Sequence, residues 1–146
     1  MTEDPDLATA PAEEVTLVEA WPSVGIVEDD PMVAALAMEM CRGLGANAAL
    51  FPSATPFLQA FTHAPPRAVV LDWQLEREVG AAAFMAIRHR FPRLPVVCWT
   101  ASPGGLPTMI RHDPLTRVVG KADGLAAFES ALAWALAEPS VTNGHG

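Results

Sequence analysis

The sequence predicts an α/β domain, a parallel β-sheet wound with helices on both faces. Two observations carry this. Short apolar runs, each the length of a buried strand, alternate along the chain with stretches of helical spacing. The runs also end in polar residues, as strands do when an α/β sheet gathers a site beyond its carboxyl edge.

The elements follow in order. Val24-Gly25-Ile26-Val27 is an apolar run ending in carboxylates and reads as a strand buried on both faces. Asp30-Pro31 opens a helix, with Asp30 as N-cap and Pro31 at the first helical position, where an N–H has no intrahelical partner to lose. That helix runs through Met40 and is stopped by Gly43 or Gly45. A weak strand is predicted over residues 48–51. Ser53 can cap a second helix over residues 55–62, which ends before Pro65-Pro66. Ala68-Val69-Val70-Leu71 is the next buried strand and ends at Asp72.

A loop over residues 73–79 leads into a third helix over residues 80–90. Residues 95–99 form a fourth strand ending at Thr100. Segment 102–114 holds three prolines and two glycines, so a helix there is short or irregular. Val118-Val119 marks a fifth strand ending near Lys121. Residues 124–137 close the domain with a helix whose apolar positions (Leu125, Phe128, Leu132, Ala135, Leu136) recur at helical spacing. Strands alternating with helices, joined by right-handed crossovers, leave a few doubly wound orders.

Composition narrows the function. The 146 residues suit one domain with short tails, and an apolar fraction of 51% supplies a core. The reading assigns residues 1–20 to a flexible acidic tail, 21–137 to the domain and 138–146 to a second tail. A net charge of −8 argues against nucleic acid, whose phosphates need clustered Lys and Arg, and suits a cation or a basic partner. No apolar run reaches membrane-spanning length, and residues 1–6 are acidic where a secretory signal would be basic. A soluble, cytoplasmic protein without membrane contact is the expectation. Cys41 and Cys98 lie in apolar segments and read as reduced core thiols rather than a disulfide. His63, His89, His112 and His145 show no metal-ligand spacing.

In a parallel sheet all strands deliver their carboxyl ends to one edge. Here the first brings Glu28, Asp29 and Asp30, the third Asp72, the fourth Thr100 and the fifth Lys121. Asp30 is assigned to capping. Clustered carboxylates repel one another and call for a cation, and an all-oxygen donor set favours Mg²⁺. An ammonium and a hydroxyl beside such a site can contact phosphoryl oxygens, and a carboxylate can serve as nucleophile. The set suits transfer of a phosphoryl group to an aspartate. Lys121 is the only lysine among nine Lys and Arg residues, and a compact ammonium fits a tight crevice better than a guanidinium fork does.

These residues resemble the receiver domain of bacterial two-component response regulators. The resemblance spans residues 22–137 and rests on Val-Gly-Ile-Val-Glu-Asp-Asp-Pro at 24–31, Ala-Val-Val-Leu-Asp at 68–72, Cys-Trp-Thr-Ala at 98–101 and Val-Val-Gly-Lys at 118–121. It implies a flavodoxin-like strand order 2-1-3-4-5 and Asp72 as phosphoacceptor. It implies Mg²⁺ held by Asp29, Asp72 and the backbone carbonyl of Gln74, with Glu28 acting directly or through water. Thr100 would be the switch hydroxyl, and Lys121 the partner of the acyl phosphate. The Gln74 side chain would position a water for dephosphorylation.

The implied function is a single-domain response regulator. It would take its phosphoryl group from a sensor histidine kinase or phosphotransfer protein and signal through contact with a downstream protein. It would not be an enzyme turning over a separate substrate, and a homodimer is left open. Three departures from the family pattern stand out: Ala122 in place of a proline, Val118 in place of an aromatic, and Glu76 in place of a proline. With the broken segment 102–114 they motivate a second reading, a degenerate receiver acting as a phosphorylation-independent adaptor. A third, a small Mg²⁺-dependent phosphohydrolase using Asp72, lacks a second acid/base aspartate two residues on, where Gln74 stands.

Overall fold

The computed structural model describes residues 23–75 and 79–137. Both predicted tails, Trp21 and Glu76 lie outside the described residues. Five parallel strands form one sheet: β1 (Val24–Val27), β2 (Ala48–Phe51), β3 (Ala68–Asp72), β4 (Val96–Thr100) and β5 (Thr116–Gly120), in the order β2-β1-β3-β4-β5. The order reverses at β1, which pairs with both β2 and β3. That reversal opens the crevice in which α/β sheets bind ligands.

Every residue of β1, β3 and β4 is buried, which is why those strands read as unbroken apolar runs. Alternate side chains enter two separate cores, because successive residues of a strand point to opposite faces. Val27, Val69, Leu71, Val96 and Cys98 join Phe57, Phe61, Phe84 and Ile87 on one face. Val24, Ile26, Val70, Val97 and Trp99 join Ala37, Cys41, Phe128 and Leu132 on the other. Each fully buried Ile, Leu or Phe contributes about 1.5–3 kcal/mol. Strand β2 lies at the sheet edge with Leu50 exposed, which accounts for its weak signal in the sequence.

Helix α1 (Pro31–Gly43) starts as its sequence predicts. The Asp30 carboxylate accepts from the N–H of Met32 (2.9 Å) and of Val33 (3.4 Å), and Pro31 occupies the first turn. Of the two candidate stop residues, Gly43 is the last helical residue, and Gly45 takes the left-handed turn at φ 77°. Helix α2 (Ala54–Ala60) ends earlier than predicted. Phe61 leaves helical geometry and buries its ring against Phe57, 5.2 Å between centroids. Ser53 is the N-cap, but its side chain makes no capping hydrogen bond. Helix α3 (Gly80–Arg90) has the predicted bounds.

The Pro- and Gly-rich segment forms a 3₁₀ turn, Pro103–Gly105, and the single-turn helix α4 (Thr108–Arg111). Helix α5 (Leu125–Ala137) closes the fold. Among the described residues no helix is long and apolar enough to cross a membrane. Both cysteines are free and buried, in different cores, and burial pushes the Cys41 thiol to about 11 and the Cys98 thiol to about 12. His63, His89 and His112 are exposed.

The amino ends of β4 and β5 are tied by Arg88 of α3. Its guanidinium pairs with Asp113 at 2.9 Å and donates to the carbonyls of Phe91 (3.1 Å) and Leu94 (2.6 Å). Asp113 in turn accepts from the Leu115 N–H at 2.8 Å. The side chains of Arg88 and Asp113 are 17% and 15% exposed, so the pair is largely shielded from water. Replacing Arg88 by Met strands the Asp113 charge and two buried carbonyls. The expected loss is about 2–3 kcal/mol, read as a lower urea midpoint at unchanged slope.

Candidate functional site

The sheet brings Glu28, Asp29, Asp72 and Lys121 to one cleft. Glu28 follows β1 directly, its N–H held by the Phe51 carbonyl of β2 at 2.9 Å and its carboxylate accepting from the Asp30 N–H at 3.2 Å. Asp72 ends β3 and is 2% exposed. Carboxylate oxygens of Glu28, Asp29 and Asp72 all lie within 4.8 Å of one another. Lys121 reaches in from the 3₁₀ turn after β5, its Nζ 3.1 Å from Asp72 Oδ1 and 3.7 Å from Glu28 Oε1. The cleft measures about 490 Å³ and is lined by these four residues with Asp30, Pro31, Gln74 and Ala101.

Charge governs this cluster. Burial pushes the Glu28 carboxyl up to about 7, and the hydrogen bond and negative charge of Asp72 add to the effect. The Asp30 N–H and the Lys121 charge oppose it. Among the described residues lining the cleft, one ammonium stands with four carboxylates. An all-oxygen donor set of this kind fits a hard divalent cation. Asp30, expected to cap α1, does so and also lines the cleft.

Two expected participants are placed differently from the rest. Thr100 is fully buried and does not line the cleft. Its hydroxyl donates to Gln74 Oε1 at 3.2 Å and accepts from the Ser102 N–H at 3.1 Å. Gln74 Oε1 also accepts from the Ala101 N–H at 3.1 Å. The Gln74 side-chain amide, expected to position a water for dephosphorylation, has its oxygen engaged with β4 and its loop. The Gln74 backbone is held at the site by its N–H, which donates to Asp72 Oδ1 at 3.1 Å, and by the neighbouring Leu75, which is buried in the core.

The supports around the site are mostly tertiary. Gly80 packs closely against Trp73, the residue after β3, since a Cβ there would lie 2.5 Å from the Trp73 carbonyl oxygen. Trp99 is core, stacked on Phe128 at 4.1 Å between centroids, and Lys121 Nζ stands 5.8 Å from the centre of its ring. Asp123 escaped the sequence reading: its carboxylate accepts from the Gly120 N–H at 3.0 Å and pins the turn that presents Lys121. The signal was local, an acidic residue at the third position of a short helical turn.

The raised Glu28 carboxyl has a definite pH signature. Its stabilising contribution is fully present below pH 4.5, where the unfolded chain also holds the proton, and is lost as pH rises through about 7. In EDTA the wild type is expected to lose stability across that window relative to Glu28→Gln, which keeps no titrating group there. Urea midpoints of both proteins between pH 5 and 8 check it, and parallel curves contradict it.

Comparison with known proteins follows the geometry. The sequence pattern of the response regulator receiver domain matches residues 24–111. No curated protein matches the chain significantly. Among solved structures, the chain is similar to the PhyR response regulator receiver domain of Erythrobacter litoralis, with 27% identity, TM-score 0.67 and coverage of 82% of this chain and 92% of that one. A sensor protein from Polaromonas sp. JS666 aligns at 25% identity and TM-score 0.68, over 79% and 95% of the two chains. The receiver domain of a Pseudomonas aeruginosa sensor histidine kinase, solved with a magnesium ion coordinated in its active-site cleft, shares the fold at 21% identity and TM-score 0.61, covering 80% and 98%. With the 2-1-3-4-5 sheet and the acidic cluster at its switch point, the chain belongs to the response regulator receiver domain family.

Proposed function

We propose that this chain is a phosphoacceptor switch that takes a phosphoryl group on Asp72 from a histidine kinase or phosphotransfer protein and signals through protein contacts. The observation that carries the reading is the 3.1 Å contact of Lys121 Nζ with Asp72 Oδ1 inside the acidic cleft. A nucleophilic carboxylate, a cation aimed at it and further acidic oxygens within 4.8 Å are the parts that phosphoryl transfer to an aspartate requires.

Glu28, Asp29, Asp72 and the Gln74 carbonyl are the groups that would hold Mg²⁺. The likeness to the magnesium-containing receiver of the Pseudomonas kinase supports this assignment. When bound, Mg²⁺ supplies positive charge against the carboxylates and the phosphoryl oxygens. The chain does the rest. An Asp72 oxygen attacks phosphorus of a phosphohistidine, the P–N bond breaks and the imidazole leaves. Lys121 stabilises charge on the phosphoryl group, and the Thr100 hydroxyl donates to it once free to turn. In this reading the protein is a substrate and switch rather than an enzyme with a separate turnover substrate. A cytoplasmic location goes with it, since the donor kinase domain acts there.

The test is intact mass after incubation with acetyl phosphate, with and without Mg²⁺, for wild type and Asp72→Asn. A gain of about 80 Da that needs both Mg²⁺ and Asp72 is the expected result. No adduct together with no Mg²⁺ binding by calorimetry overturns the reading in favour of the adaptor. A second measurement weighs Lys121: Lys121→Ala is expected to slow adduct formation at least tenfold, the scale on which loss of one charge-stabilising group acts.

A further inference from the structure

We infer that Gln74 is a positioning residue that holds the Thr100 hydroxyl away from the acceptor and thereby sets how readily the site takes a phosphoryl group, an inference that rests on Asp72 being that acceptor. A threonine hydroxyl has one proton to donate. Here that proton goes to Gln74 Oε1 at 3.2 Å, and the hydroxyl oxygen accepts from the Ser102 N–H at 3.1 Å. The hydroxyl cannot also donate into the cleft, and Thr100 does not line it.

Gln74 is suited to this task by its backbone. Its N–H donates to Asp72 Oδ1 at 3.1 Å, so the acceptor carboxylate and the latch residue stand two positions apart and are locked together. Its amide oxygen takes a second bond from the Ala101 N–H at 3.1 Å, fixing the first residue of the loop after β4. The two bonds close a bridge between the carboxyl ends of β3 and β4, tying the Thr100 hydroxyl and the residue after it to the segment that carries Asp72. Both Gln74 and Ala101 are exposed at the cleft wall, so water can take over the released amide groups and opening costs little.

A water-positioning role for Gln74 needs the same oxygen and makes a different forecast. It changes the lifetime of the acyl phosphate, whereas the latch changes the equilibrium for occupying the site. The experiment therefore measures binding of beryllofluoride, a non-hydrolysable phosphoryl mimic, to the full chain in saturating Mg²⁺. Wild type, Gln74→Leu, Thr100→Ala and the double variant are compared, with Asp72→Asn as control. Gln74 is exposed, so its replacement leaves the core intact.

The expected result is binding about three- to tenfold tighter in Gln74→Leu, the worth of one intramolecular hydrogen bond, with the gain vanishing in the Thr100→Ala background. Faster hydrogen exchange of the Ala101 amide in metal-free Gln74→Leu is the accompanying readout. If the wild type binds the mimic through Asp72 and Gln74→Leu gains nothing, or gains as much without Thr100, the latch falls and the phosphoacceptor reading stands. If no protein binds the mimic, or Asp72→Asn binds it as well as the wild type, the phosphoacceptor reading falls and the latch with it.

Discussion

A single ammonium held among carboxylates organises this molecule. Lys121 Nζ lies 3.1 Å from Asp72 and 3.7 Å from Glu28, at the one edge of the sheet where the ends of β1, β3 and β5 converge. Burying carboxylates is expensive unless charge and hydrogen bonds compensate, and here the compensation is partial. The cost appears as the raised Glu28 carboxyl. Among the described residues of the cleft, four carboxylates stand with one ammonium, a donor set suited to a divalent cation.

The fold can tolerate that shortfall because its stability is generated elsewhere. Two apolar cores flank the sheet, and the Arg88–Asp113 network closes the end opposite the cleft, where loops lead into β4 and β5. The Arg88–Asp113 network and the acidic cleft thus sit at opposite ends of the same strands. The parallel arrangement permits this separation, since every strand presents its amino end to one edge and its carboxyl end to the other. An antiparallel sheet would scatter the same carboxylates over both edges.

The site also shows how a short reach of chain can couple two strands. From Asp72 to Gln74 the backbone spans the distance from the proposed acceptor to the proposed latch, and one side-chain amide then joins the end of β3 to the Thr100 end of β4. Opening that bond is the rearrangement the proposed switch requires. Val118, placed where an aromatic is common in the family, packs partly buried against the core that contains Cys98. In this chain a polar bridge at Gln74 links the Thr100 side chain to the segment after β3, alongside the direct pairing of β3 with β4.

Much of this was legible in the order of residues alone. Buried strands of a parallel sheet must be apolar on both faces, so β1, β3 and β4 announced themselves, and their polar ends marked Glu28, Asp29, Asp72 and Thr100. Local rules placed the start of α1 at Asp30-Pro31 and the bounds of α3, because capping and helical spacing act over a few residues. Where long-range packing overrode local preference, the sequence was a poorer guide. Phe61 ended α2 early to fill the core, and Thr116 extended β5 by pairing with Val96. Side-chain partners beyond local capping were out of its reach. Gln74 turning its amide oxygen to Thr100 and the Ala101 N–H depends on contact between segments far apart in the chain, and Asp123 pins the turn of Lys121 only where the finished sheet presents it. Chemistry-bearing residue types and their strand ends are properties of the sequence; which of their polar groups meet is decided by tertiary structure, because a hydrogen bond needs its atoms within about 3 Å and only the folded chain sets that distance.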